Sequence, residues 1–334
     1  MTARSEVRRF IVPPELAGLR LDVALVRLVP ELSRARVQRL LEEGRVLLGG
    51  GAARASTRLR GGEAIELEVT PPPPTEVTPQ DLPLTVLHED PDLLVLDKAA
   101  GMVVHPARGT PHSTVLNALL HRMGAGPETP VRLGLVHRLD KDTSGCLVVA
   151  RTDAALAGLQ AQWKGRTVEK VYLALCHGAL PAAARLDTPY DRHPRDRTRY
   201  TGRALRQRRA PGGEDSPAPP VRRAITEWRV EERFGDAAAL ARVTLHTGRT
   251  HQIRVHLSEA GHPLLADAVY GGTRREARLP PADRVRLAAQ AIGRQALHAA
   301  RLAFDHPRTG RRLVVEAPIP ADLARALAVL REGA

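Results

Sequence analysis

Four consecutive prolines, Pro71 to Pro74, constrain this chain more than any other feature. Each ring holds φ near ~−65° and leaves no amide hydrogen to donate, so neither a helix nor a central strand runs through them. Such a run takes the form of a stiff extended spacer. The chain of 334 residues is long enough for two cores. The expectation is a small unit over 18–70, a Pro-rich spacer over 71–83 and a larger unit over 84–330. Hydrophobic residues make up 43%, which excludes a disordered chain. Aromatic residues make up only 3%, so packing must rest on Leu, Val and Ala. No apolar run is long enough to span a membrane. The charged start, Met1 to Arg9, is cut off from any signal-peptide core by Pro13, Pro14 and Glu15, which makes a cytoplasmic protein the expectation. Cys146 and Cys176 each sit in an apolar run and read as small buried hydrophobes, not as a disulfide or metal pair.

In the small unit Leu21, Leu25 and Leu28 recur at helical spacing and Pro30 ends the pattern. Ser33 can cap a second helix with Val37, Leu40 and Leu41 as its apolar stripe and Gly44 at its end. Arg34, Arg36 and Arg39 fall off that stripe and face solvent. Val46 to Leu48, a Gly49-Gly50-Gly51 turn and Arg58 to Val69 read as short strands. The net charge of +13 calls for an anionic partner, for which nucleic acid is the first candidate. Arg192 to Arg223 reads as a long Arg-rich loop, open to phosphate contact or to a plain solvated insertion.

The larger unit reads as α+β. Thr85 to Asp90 and Leu93 to Lys98 are strands, and Thr114 to Met123 and Ala154 to Trp163 are helices. Between them an apolar approach runs into His137-Arg138-Leu139-Asp140-Lys141-Asp142-Thr143-Ser144-Gly145, and the apolar run Cys146 to Ala150 leaves it. Two buried strands around a polar turn can hold chemistry on a rigid frame. Asp140, with cations on both sides, should stay ionised and can act as nucleophile or base. The same residues would also satisfy an ordinary polar turn through side chain to backbone bonds. Val168 to Gly178 alternates as a strand with two distinct faces and pins Tyr172 to one of them, where spacing alone suits a core tyrosine as well as a site residue. Ala241, Val243 and Leu245 form a further strand. After the Thr247-Gly248-Arg249 turn, Thr250 can cap a helix with Ile253, Leu257 and Ala260 on one face and His251, Arg254 and Ser258 on another. His246, His251 and His256 are spaced wrongly for one helical face, and neither a zinc motif nor a nucleotide-binding glycine loop occurs. No metal and no organic cofactor are expected.

Residues 137–145 resemble the signature of the RluA-type pseudouridine synthases. Lys170-Val171-Tyr172-Leu173-Ala174 resembles that family's second motif, and the run from Thr247 to Leu257 its third, almost letter for letter. Gly261 to Gly271 also resembles the family, with Ala266 where Gly is usual, as does Leu297 to Pro320. Ala99 stands where the family usually has Pro, a change expected to touch none of the chemistry. The small unit resembles an S4 domain, as in the RluC/RluD-like members.

The resemblance implies a catalytic domain on a mixed, largely antiparallel sheet with flanking helices, plus an N-terminal S4 (α-L) RNA-binding domain. It implies isomerisation of uridine to pseudouridine in RNA, with no atom gained or lost and so no cofactor. Asp140 would be the essential carboxylate, Arg254 its cation and Tyr172 the aromatic against the flipped base. Arg138 would fill the gap the base leaves. Arg249 and His251, with Arg34, Arg36 and Arg39, join Arg138 as candidate RNA-binding residues. A fused S4 domain favours large-subunit (23S) ribosomal RNA or its precursor over tRNA, and a monomer is expected. The competing readings are a tRNA synthase of the same family and a non-catalytic RNA-binding ribosome-assembly factor. Whether Asp140 attacks C1′, adds to C6 or removes the C2′ proton stays open.

Overall fold

The computed structural model describes residues 6–29, 32, 34–69, 77–106, 110–124, 133–196, 198–203 and 222–332, without the side chains of Arg34 and Ala35. The helix stop at Pro30, the cap at Ser33, the prolines at 71–74 and the 204–221 part of the Arg-rich segment lie outside the described residues. The chain divides into two compact units, Met1–Glu76 and Val77–Ala334.

In the first unit the strand β1 (Glu6–Ile11) precedes two helices, α1 (Leu21–Leu28) and α2 (Arg34–Glu42). Three strands follow: β2 (Val46–Leu48), β3 (Gly51–Ala52) and β4 (Ala64–Val69). The sheet order is β1-β4-β2-β3. The leucine stripes read from the sequence close on one another: Leu21, Leu25, Val37 and Leu40 bury against Ile65 and Leu67 of the sheet. Two features differ from the sequence pattern. β1 falls outside it, because half of its residues are charged and its ladder partner β4 lies far along the chain. The last strand begins at Ala64, not Arg58; Arg58 makes only an isolated bridge to Arg20, and Gly61 and Gly62 turn the chain at positive φ.

The second unit opens with β5 (Thr85–Glu89), β6 (Leu93–Lys98) and α3 (Val115–Arg122). Next come β7 (Gly134–Leu135), β8 (Ser144–Ala150), α4 (Asp153–Gly165), β9 (Glu169–His177) and β10 (Ala183–Pro189). A hairpin, β11 (Asp191–Arg192) and β12 (Tyr200–Thr201), leads to β13 (Arg223–Phe234), β14 (Ala238–Leu245) and α5 (Gln252–Glu259). The chain ends with α6 (Gly272–Glu276), α7 (Arg284–Ile292), β15 (Leu297–Asp305), β16 (Arg312–Glu316) and α8 (Ala321–Arg331).

These strands form one sheet in the order β10-β13-β14-β9-β15-β8-β6-β5, with β16 on β15 and β7 on β8. Every pairing is antiparallel except β15 with β8. It is the mixed, largely antiparallel sheet the sequence implied. β9 shows why its middle strands are apolar throughout. Tyr172, Ala174 and Cys176 face a core closed by α3 and α5, while Leu173 and Leu175 face a second core closed by α7 and α8. Both cores are mostly Leu, Val and Ala, as the scarcity of aromatics requires. The parallel contact explains Gly145, at φ 111°: a Cβ there would lie 2.2 Å from the Ala299 carbonyl oxygen.

The front of the Arg-rich segment is not a loop. Tyr200 stacks on Tyr190, the Thr201 hydroxyl donates to Glu259 at 2.6 Å and the Gly202 amide donates to the same carboxylate at 3.0 Å. Charge density hid this hairpin from the periodicity reading, because its anchors are polar and lie on α5.

Candidate active site

The polar stretch 136–143 is the connection between β7 and β8, which pair with each other, so both of its ends are tied to the sheet through β8, an interior strand between β15 and β6. The turn is then gripped from behind. Lys98 is 1% exposed, and its three ammonium donors go to the carbonyls of Ala99, Met102 and Lys141 at 2.7, 2.8 and 2.9 Å. Burial pushes its pKa down to about 8, against the pull of Asp142. The Gly101 amide donates to the Lys141 carbonyl as well, so the backbone of the turn containing Ala99 backs the site. On the other side Arg294 donates to the Asp142 carbonyl at 2.9 Å and the Ser144 hydroxyl at 3.1 Å, while Asp322 on α8 grips the same guanidinium at 2.7 and 3.1 Å. The Gln295 amide reaches the Thr143 hydroxyl at 3.2 Å. With the turn held through its carbonyls and through the Thr143 and Ser144 hydroxyls, the Asp140 side chain is not needed to fix it.

Asp140 rises from this turn, 17% exposed, into a cleft that Arg138, Tyr172, Arg249, His251 and Arg254 also line. Six residues singled out from sequence thus meet at one place, and Arg34, Arg36 and Arg39 belong to the other unit, where Arg39 is exposed and Arg36 half-buried. Arg254 Nη1 donates to Asp140 Oδ2 at 3.2 Å. The same guanidinium is held more firmly elsewhere: Nε and Nη2 donate to the two oxygens of Asp267 at 2.7 and 2.9 Å, and its carbon sits 5.1 Å over the Tyr270 ring. Asp267 is fully buried and also accepts the amides of Val269 and Tyr270, both at 2.9 Å. Burial alone would raise the Asp267 pKa, but the Arg254 guanidinium and those amides turn the shift downward. Burial likewise opposes the Arg254 charge, and Asp267 and then Asp140 outweigh it. Arg254 is therefore a bridge aimed at Asp140 by Asp267. The sequence pattern missed this partner, although Asp267 stands in the Gly261 to Gly271 stretch that follows α5.

The start of α5 also differs from expectation. The N-cap is His251, in the left-handed region at φ 60°, and not Thr250. Gln252 fixes the preceding turn: its oxygen accepts from the Thr247 hydroxyl and the Arg249 amide at 2.7 and 3.0 Å, and its amide donates to Ile225 and Thr226. His251 Nε2 lies 3.9 Å from Asp140 Oδ2, and its Nδ1 lies 2.9 Å from the Tyr270 hydroxyl. Burial lowers the His251 pKa, with Asp140 opposing, and burial pushes Tyr270 up to about 12.

Tyr172 projects from β9 on the face shared with Ala174, and among the described residues its hydroxyl has no hydrogen-bond partner. Burial, then Asp140, raises its pKa, so the ring enters the site as a neutral phenol. Arg138 and Arg249 are exposed at the rim.

One group elsewhere has metal-like spacing, Asp90, Asp92 and His306. His306 Nδ1 accepts the amides of Arg308 and Thr309, so Nε2 carries the proton and donates to Asp90 at 3.1 Å. That arrangement closes a corner between strands and offers no imidazole lone pair to an ion.

The family model for RNA pseudouridylate synthase matches residues 92–259. The chain belongs to the RNA pseudouridylate synthase family. It is an isomerase acting on RNA, and the S4 domain model matches residues 19–65. It is 44% identical over 330 residues to the ribosomal large subunit pseudouridine synthase D of Xanthomonas campestris pv. campestris, covering 98% of this chain and 94% of that one. The protein of the same name from Xylella fastidiosa is 43% identical over 327 residues, covering 97% and 93%. Among solved structures, human RNA pseudouridylate synthase domain containing 4 aligns with a TM-score of 0.54 and 26% identity, over 74% of this chain and 93% of that one. Among the described residues no helix is long and apolar enough to cross a membrane.

Proposed function

We propose that this synthase converts specific uridines of large-subunit ribosomal RNA to pseudouridine, with Asp140 as its essential carboxylate. The observation that carries the reading is the contact of Arg254 with Asp140 at 3.2 Å in a cleft that also holds Tyr172. The reaction breaks the C1′–N1 bond, turns the uracil and joins C1′ to C5; the proton lost from C5 is matched by one gained at N1. A carboxylate beside the sugar and base can take part at C1′, at C6 or at the C2′ proton, and a guanidinium fixed on a second carboxylate keeps it aligned. The target base must leave its stack to enter the cleft. Tyr172 meets the flipped ring, Arg138 fills the vacated place, and Arg249, at the rim, contacts phosphate or sugar. Arg34, Arg36 and Arg39 of the S4-like unit add phosphate contacts. Near full-length relatives named for the large ribosomal subunit, together with the S4 match, support ribosomal RNA over tRNA. The protein acts in the cytoplasm as a monomer, and the chemistry balances without metal or cofactor.

The test maps pseudouridines in RNA from cells with and without the gene, complemented by wild type or Asp140→Asn. The expected result is loss of specific ribosomal sites, restored by wild type only. Loss confined to tRNA would overturn the substrate, and restoration by Asp140→Asn would overturn the mechanism and favour an assembly factor.

A further inference from the structure

This chain has four tyrosines, and three of them gather behind one residue of the cleft. Tyr190, Tyr200 and Tyr270 pack around the start of α5, with the Tyr200 and Tyr270 rings edge-on to His251 at 5.8 and 5.6 Å. The reaction makes no direct demand on this cluster. Its hydrogen bonds converge on the left-handed N-cap. The Tyr190 hydroxyl donates to the Thr250 carbonyl at 2.6 Å, and the Tyr200 amide donates to the Tyr270 oxygen at 3.0 Å. The phenolic proton of Tyr270 then has His251 Nδ1, at 2.9 Å, as its partner. This assignment leaves no buried proton stranded, and it places the imidazole proton on Nε2. The opposite tautomer would turn the Nε2 lone pair toward the Asp140 carboxylate. Nε2–H instead faces Asp140 Oδ2 at 3.9 Å, the oxygen that accepts from Arg254. Among the described residues Asp140 Oδ1 has no hydrogen-bond partner.

We infer that His251 is a positioning residue: Tyr270 fixes its tautomer so that Nε2–H and Arg254 together hold Oδ2 of Asp140, leaving Oδ1 to meet the uridine. The inference rests on the proposed role of Asp140. Closing the present gap by about 1 Å as the RNA seats brings Nε2–H into hydrogen-bond range. It follows that the two carboxylate oxygens are not equivalent, and that Tyr270, which does not line the cleft, acts through His251.

Tyr270→Phe keeps the ring against His251 and under Arg254 and removes only the hydroxyl. Single-turnover pseudouridine formation on a large-subunit ribosomal RNA transcript should fall about tenfold, the scale of one lost hydrogen bond to a charged group, with RNA affinity unchanged. The ¹⁵N spectrum of His251, read without RNA, should move from a single Nε2–H tautomer to a mixture. His251→Ala should lose a similar factor and His251→Gln recover the greater part of it, because an amide nitrogen donates from the Nε2 position whatever Tyr270 does. In the Gln background Tyr270→Phe should then cost nothing further. An unchanged rate and unchanged ¹⁵N pattern in Tyr270→Phe overturn the inference, as does an equal loss in the Gln background, which marks Tyr270 as merely structural. A wild-type protein inactive on that RNA overturns the functional reading instead, while the ¹⁵N pattern still decides the tautomer.

Discussion

Arg254 gives the site its aim because two carboxylates compete for one guanidinium and the buried one wins. Asp267 takes two donors at 2.7 and 2.9 Å, and Asp140 receives the third at 3.2 Å. Replacing Asp267 by Asn keeps the shape and leaves a buried cation short of its partner, a change that costs about 3 kcal/mol in such settings. Urea unfolding should register that loss, and single-turnover rate should drop more than tenfold as the guanidinium swings toward Asp140. Turnover at the wild-type rate would mean that Arg254 needs no second anchor. Next to it, Ala266 adopts φ 55°, a left-handed conformation unfavourable for any residue with a Cβ. Ala266→Gly removes that strain and returns some of the gain as unfolded-state entropy. The expected outcome is a net stabilisation of up to about 1 kcal/mol, seen as a higher Tm with unchanged activity. A fall in Tm would show that the Ala266 methyl, packed against the α7–α8 core, matters more than the backbone.

At the level of elements, the turn carrying Asp140 owes its rigidity to cations that belong to other segments. Arg294 ties it to Asp322 on α8, a residue well outside the cleft. Asp322→Ala should therefore lower the rate of the chemical step several-fold while RNA affinity holds, since binding rests on phosphate contacts spread elsewhere. Equal losses in binding and rate would count against the turn as the thing affected. The S4-like helix makes the complementary case. Replacing Arg34, Arg36 and Arg39 with Ala should weaken RNA binding and flatten its salt dependence, by roughly one unit of slope for each phosphate no longer neutralised. A binding titration with an unchanged slope would assign those arginines to the solvent.

For the whole molecule the telling variable is pH. Burial lowers His137 to about 3 and His256 to about 4 from an ordinary value of 6.5, and lowers His251 and His298 as well. As pH falls below 6.5 the unfolded chain takes up protons that the folded chain refuses, so stability declines through the interval down to about 4. Asp90, Asp267 and Asp322 lie below the usual carboxylate value in the fold despite burial, through their hydrogen bonds and cations. Their contribution is present above 3.8 and is lost as pH falls from there toward 2. Both groups act with the same sign. Tm should fall steadily from about pH 6.5 to about 4.5, before the carboxylates titrate, and a flat Tm across that range would exclude neutral buried imidazoles.

Local pattern carried much of this. The runs Leu93 to Lys98 and Cys146 to Ala150 are apolar along nearly their whole length and became central strands; Ala154 to Trp163 became a helix within a residue or two of its ends. Alternation along β9 put Tyr172 on a definite face, and the three family-like motifs supplied six residues that share one cleft. Periodicity reports on such things because a strand or helix face is settled by residues a few positions apart. β1 escaped because charge masks its alternation and its partner is remote in sequence. The hairpin at Asp191–Thr201 escaped because polar contacts to α5 hold it. The pairing of Arg254 with Asp267, the clasp of Lys98 and Arg294 on the Asp140 turn and the tautomer of His251 were decided by tertiary structure alone. A buried charge takes whichever partner the packed chain brings within about 3 Å, and for Arg294 and the Asp142 carbonyl that partner lies 152 residues away.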